Sequence, residues 1–109
     1  MTFEAMFAKV KELLSGADVS GIGEHLAYQF NITGEAQGIF YVEVKDGLLH
    51  VEPYSYNDRD AAFTCSAETL FKIASGQSDP VGAVFLGKLK VEGNIDKALK
   101  LKSLLPSES

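Results

Sequence analysis

The sequence predicts one α+β domain over residues 1–109, with five strands in a mixed, largely antiparallel sheet covered mainly on one face by helices. Three observations carry that prediction. The apolar spacing switches from a helical three-and-four period before Gly16 to a period of two from Leu26 to Val51. Asp46-Gly47 joins two alternating runs as a hairpin turn does. Ser66 to Leu105 then holds three capped helical segments and one strand, with glycines at the joints. Consecutive strands followed by segregated helices make an α+β sheet rather than a doubly wound one.

Taken in order, Phe3, Met6, Phe7, Val10, Leu13 and Leu14 form one stripe of an amphipathic helix that Thr2 caps and Gly16 ends. Ala17 to Gly23 reads as a loop; its Gly21-Ile22-Gly23 lacks the preceding strand and third glycine of a dinucleotide fingerprint. Leu26, Tyr28, Phe30 and Ile32 alternate with Ala27, Gln29, Asn31 and Thr33, which predicts a half-buried first strand. In strand two, Ile39 to Lys45, Phe40, Val42 and Val44 point inward. Strand three runs from Leu48 to Pro53, and Pro53, which cannot donate to a ladder, belongs at a strand end or edge. Tyr54 to Asp60 is polar and aperiodic, the longest loop or crossover. Ala61 to Cys65 is strand four, with Phe63 and Cys65 on one side.

Ser66 caps the second helix, Glu68 suits the positive end of its dipole, and Gly76 supplies the stop. Asp79-Pro80 starts a third, because proline at the first helical position gives up a donor that had no partner, and Gly87 ends it. Val81, Val84 and Phe85 share one face of this helix. Leu89 and Val91 alternate with Lys88, Lys90 and Glu92 as strand five. Gly93 turns the chain, Asn94 caps the last helix, its apolar residues are Ile95, Ala98, Leu99, Leu101, Leu104 and Leu105, and Pro106 stops it.

The run LFKIASGQSDPVGAVFLGKLKVEGN, with the helix that follows it, resembles the end of the sterol carrier protein 2 (SCP-2) sterol-binding domain family almost position by position from Leu70 to Leu105. Before Leu70 the resemblance is looser, a helix followed by strands. It implies an apolar cavity between the sheet and the C-terminal helices. It also implies binding or transfer of a fatty acid, acyl-CoA, phospholipid or sterol in that tunnel, with no catalysis and no cofactor.

Bulk properties narrow the choice. A chain of 109 residues buries roughly two thirds of its unfolded surface, enough for one core. Hydrophobic content of 46% excludes general disorder. The longest apolar run is too short for a membrane span, and the N-terminus lacks a basic start before a cleavable apolar segment. Pro106-Ser107-Glu108-Ser109 is no peroxisomal signal, so a cytoplasmic protein is expected. The single cysteine, Cys65, forms no internal disulfide, in keeping with a reducing compartment where the Asn31-Ile32-Thr33 sequon stays unmodified. A net charge of −5 argues against nucleic acid. Residues 1–87 carry net −7, whereas 88–105 carry five lysines and net +3. That excess reads as a solvated helix face, or as a weak dock of the Lys88–Lys102 region on anionic membrane surfaces.

Chemistry is thin. His25 and His50 have no second ligand at metal spacing, so no metal is expected. Cys65 in an apolar strand reads as a small core residue, and the carboxylates form no pair. Gly82 to Leu89 has the spacing of a phosphate-binding loop, but Leu89 stands where Ser or Thr must hold magnesium, and the segment runs from helix to strand, the reverse of that loop. Nucleotide hydrolysis is therefore rejected.

What remains is a surplus of apolar side chains on short helices: Leu70, Phe71 and Ile73; Val81, Val84, Phe85 and Leu86; Leu99, Leu101 and Leu104. Pattern alone fits an ordinary core. The family resemblance instead makes them, with Phe30, Phe40 and Phe63 on the inward sheet face, the lining of a cavity, which needs about 300 Å³ or more. An acyl chain of about ten carbons would gain a gross ~8 kcal/mol there without any polar anchor. The expectation is a non-enzymatic carrier of a hydrophobic small molecule. The alternative is an interaction or oligomerisation module, such as a homodimer, packing the same helices against a second chain.

Overall fold

The computed structural model describes residues 2–17, 19 and 21–104; Leu105, Pro106 and the C-terminal tripeptide lie outside the described residues. The elements are α1 (Phe3–Ser15), β1 (Leu26–Thr33), β2 (Gly38–Lys45), β3 (Leu48–Glu52), β4 (Ala61–Ser66), α2 (Ala67–Ala74), α3 (Pro80–Phe85), β5 (Lys90–Gly93) and α4 (Ile95–Leu99), followed by a 3₁₀ turn over Lys100–Leu104. The strands form one sheet in the order β3-β2-β1-β4-β5. Only β1 and β4 are parallel; the other three pairings are antiparallel, as the α+β prediction requires. Pro53 falls just beyond the end of β3, the edge strand.

Local signals set the boundaries. Thr2, Ser66, Asp79 and Asn94 cap α1 to α4, each side chain accepting from a backbone N–H two or three residues on. Asp46 and Gly47 both take positive φ, 53° and 75°, which is the twist a two-residue hairpin demands. Gly93 is required by space as well as by φ. A Cβ there would sit 2.7 Å from the Asp60 carbonyl oxygen, and its φ of 102° is closed to ordinary side chains.

Aromatic rings make the centre of the core. Register places Phe40, Phe30, Phe63 and Val91 side by side across β2, β1, β4 and β5. Phe30 stacks on Phe40 at 4.9 Å and on Phe63 at 5.1 Å, and Phe7 of α1 meets Phe40 edge-on at 5.5 Å. Met6, Val10 and Leu14 of α1, Leu70 and Ile73 of α2, and Leu101 and Leu104 close over this row.

Three expectations are corrected. Strand β1 is buried on both faces, not one, because Ala27 and Gln29 of its outer face are also covered. The crossover of residues 53–60 does this: the Tyr56 amide donates to Gln29 Oε1 at 3.1 Å, and the Ala27 amide donates to Asp60 Oδ2 at 2.8 Å. Strand β5 starts at Lys90, since the amides of Lys88 and Leu89 are both spent on the Ala83 carbonyl and cannot join the ladder. The last helix is α only to Leu99 and then tightens to 3₁₀. Gly16 is the C-cap of α1 as expected, at φ −85°.

Candidate functional site

Three short elements surround an apolar groove at the β5 edge of the sheet. Phe63 of β4 and Val91 of β5 form its floor; Pro80, Val81, Val84 and Phe85 of α3, with Leu89, form one wall; Ile95, Ala98 and Leu99 of α4, with Lys102, form the other. Among the described residues, Lys102 is the only charged one of that lining, and its ammonium sits 3.3 Å from Asp79, the cap of α3. The groove encloses about 190 Å³ and is open to solvent. An engineered apolar cavity of about 150 Å³ admits benzene, so this one seats a few carbons rather than a whole lipid.

The groove is bordered by unusual exposure. Phe85 is 86% exposed, Leu86 73%, Ile95 54% and Leu99 52%. The cause is local: α3 has six residues and buries only Ala83 against the domain, so its large side chains have no core to enter. Scattered exposed apolar residues are ordinary, but four around one apolar groove form a patch.

The thirteen residues that the sequence marks as lining fall into three sets. Phe63, Val81, Val84, Phe85 and Leu99 line the groove. Phe30, Phe40, Leu70, Ile73, Leu101 and Leu104 lie in the packed core, and Phe71 is half-buried against it. Leu86 lines an adjoining polar groove. Against the cavity of about 300 Å³ that the sequence suggests, the apolar groove is smaller, about 190 Å³, and open to solvent. Pro80, Leu89, Val91, Ile95, Ala98 and Lys102 are lining residues that sequence reasoning did not select; Ile95 and Val91 carried an apolar signal, Lys102 none.

A second arrangement lies on the outer sheet face. His25 Nε2 is 2.7 Å from Glu43 Oε2, and the Tyr56 hydroxyl donates to the same oxygen at 2.6 Å. Partial desolvation raises the Glu43 carboxyl, but the hydrogen bonds from His25 and Tyr56, with the nearby His25 and His50, outweigh it and hold it below the ordinary value. The same bond to Glu43, with desolvation, pushes the Tyr56 phenol up to about 12. These groups pin the crossover to β2. Cys65 is buried in the core, and burial pushes its thiol up to about 12, so it supplies no thiolate at neutral pH. Tyr28, whose hydroxyl donates to the Lys97 carbonyl, is held above its usual range by burial first and then by Asp60 and Glu24.

The Glu43 cluster gives a pH-dependent stability. A carboxyl lowered from about 4.5 in the unfolded chain stabilises the fold above that pH, and the contribution drains as pH falls through the folded value. The urea midpoint is expected to fall more steeply between about pH 5 and pH 3 in the parent chain than in Glu43→Gln. Equal slopes would show that the cluster does not support the fold.

Together, the fold and groove define a class: a small α+β domain with one mixed sheet, helices over its inner face, and an apolar groove left open between two short C-terminal helices. The chain belongs to the SCP-2 sterol transfer family, whose sequence pattern matches residues 3–106. It is 35% identical over 106 residues to hydroxysteroid dehydrogenase-like protein 2 of Rattus norvegicus, covering 94% of this chain and 19% of that protein. It is 37% identical over 71 residues to sterol carrier protein 2 of the same organism, covering 65% of this chain and 13% of that one. The chain thus spans about a fifth or less of the length of these curated relatives. The palmitated SCP2-L2 of Aedes aegypti shares the fold at a TM-score of 0.67 and 23% identity, covering 100% of this chain and 99% of that one. Among the described residues, no helix is long and apolar enough to cross a membrane.

Proposed function

We propose that this chain binds the apolar tail of a lipid, a fatty acid or a related acyl compound, in the groove between α3, β5 and α4, and performs no chemistry on it. The observation that carries the reading is the groove's lining, apolar except for Lys102 and bordered by the exposed Phe85, Leu86, Ile95 and Leu99. Phe63, Val81, Val84, Phe85 and Leu99 hold the tail, with Leu89, Val91 and Ile95. A few carbons enter the groove and the rest lies along the exposed side chains; each methylene covered contributes roughly 0.8 kcal/mol before ordering costs. The palmitated relative and the name of the sterol carrier protein support a hydrophobic ligand. Cytoplasmic residence is part of the same proposal and rests on the single free Cys65.

Displacement of a fluorescent fatty acid by saturated acids of increasing length tests this. Affinity is expected to rise with each added carbon until the exposed rim is covered. No displacement at any length, with bare protein alone in native mass spectra, would overturn it.

The exposed rim favours a second reading, a homodimer or other protein contact through α3 and α4. Sedimentation separates the two, because a dimer that buries Phe85 and Leu86 tightens with concentration and excludes the fatty acid. A weak contact of the lysine-rich 88–102 region with anionic membranes is a further part of the proposal, and rests on the net +3 of residues 88–105.

A further inference from the structure

Beside the apolar groove lies a polar one of about 520 Å³, lined by residues of β4, α2, the α3–β5 turn and β5. Three lysines from three elements converge on it: Lys72 from the last turn of α2, Lys88 from the turn after α3, and Lys90 from the start of β5, opposite Thr64. Among the described residues, Glu68 is the only carboxylate in the lining, and it is paired with Lys72 at 3.4 Å. Lys88 and Lys90 make no side-chain hydrogen bond or ion pair with any described residue. A concavity with a surplus of two positive charges stands out in a chain of net −5. Thr64 and Ser78 add hydroxyls to the same lining as further donors, whereas the Ser66 hydroxyl already donates to Thr69 Oγ1 at 3.2 Å.

The two grooves share one turn. Phe85 and Leu89 line the apolar side, while Leu86, Gly87 and Lys88 between them line the polar side. A molecule with its tail in the first groove therefore reaches the lysines by crossing Leu86. We infer that the polar groove holds the phosphate group of an amphiphile, with Lys88 and Lys90 as its chief partners; this rests on the lipid-tail reading above. Phosphate suits the site better than carboxylate. It carries up to two negative charges, which match the surplus, and more acceptor oxygens, which use the hydroxyls.

The test is calorimetric titration at low salt with decyl phosphate, decanol and inorganic phosphate. The parent chain is expected to bind decyl phosphate at least about tenfold more tightly than decanol, with the preference falling as salt rises. In the double variant Lys88→Gln with Lys90→Gln, both exposed positions, the preference disappears and decanol binding is unchanged. Lys9→Gln with Lys45→Gln, the same charge change far from the groove, keeps the preference. A preference that survives in the first double variant, or vanishes equally in the second, overturns the lysine site while leaving the tail groove intact. Inorganic phosphate binding as tightly as decyl phosphate assigns the site to a free ion and overturns the amphiphile. Failure of decanol and decyl phosphate alike overturns the tail groove and the headgroup site with it.

Discussion

A Phe85→Asp variant is expected to fold as the parent chain does and to lose between about ten- and a hundredfold in affinity for an acyl chain. Phe85 is 86% exposed, so its removal takes little from the core, and surface changes of that kind stay within about 0.5 kcal/mol. The new carboxylate also falls at the C-terminal end of α3, where the helix dipole opposes it by about 0.3–1 kcal/mol. Binding is another matter. Covering a phenylalanine side chain contributes about 1.5–3 kcal/mol, and each 1.4 kcal/mol is a factor of ten. A carboxylate placed against a hydrocarbon tail adds a desolvation cost on top. The pair of measurements is a thermal melt and fatty acid displacement. A folded variant that takes up ligand like the parent would remove Phe85, and with it the α3 wall, from the site.

Phe40→Ala is expected to destabilise the domain by about 3–5 kcal/mol, out of a total of about 5–15 for a domain of this kind. Phe40 is fully buried at the β2 end of the row that runs on through β1 to β4, with Phe30 stacked on it and Phe7 edge-on. Truncation leaves a hole that rings from two directions cannot both fill. Because Phe40 is absent from the groove lining, the residual folded protein is expected to bind fatty acid with unchanged affinity. Urea unfolding checks the first part and displacement below the unfolding midpoint the second. A loss under about 1 kcal/mol would mean that α1, not the aromatic row, holds the sheet together.

Much of the fold is legible in the sequence because its signals are local. Caps at Thr2, Ser66, Asp79 and Asn94, the Asp46-Gly47 turn and the alternation of β2 and β3 each depend on residues within a few positions. The outer face of β1 is not legible, since Ala27 and Gln29 look exposed until a crossover some thirty residues away lies over them. The groove is half legible. Val84-Phe85-Leu86 shows a surplus of apolar surface, but a six-residue helix does not say which side faces the domain. Phe30, Phe40 and Phe63 share one period-two face. Only the strand order, with β4 between β1 and β5, places Phe63 under the groove and the other two away from it. The His25–Glu43–Tyr56 cluster has no local signature, because its members are brought together by the approach to β1, by β2 and by the crossover.

The central claim is that an acyl tail lies between α3 and α4 against the floor made by Phe63 and Val91. Intermolecular nuclear Overhauser effects between ¹³C-labelled palmitate and the methyl groups of Val81, Val84, Ile95 and Leu99 test it most directly. The account predicts contacts from the terminal carbons of the chain to all four. Contacts confined to another face of the domain, or none from a ligand shown to be bound, would contradict it.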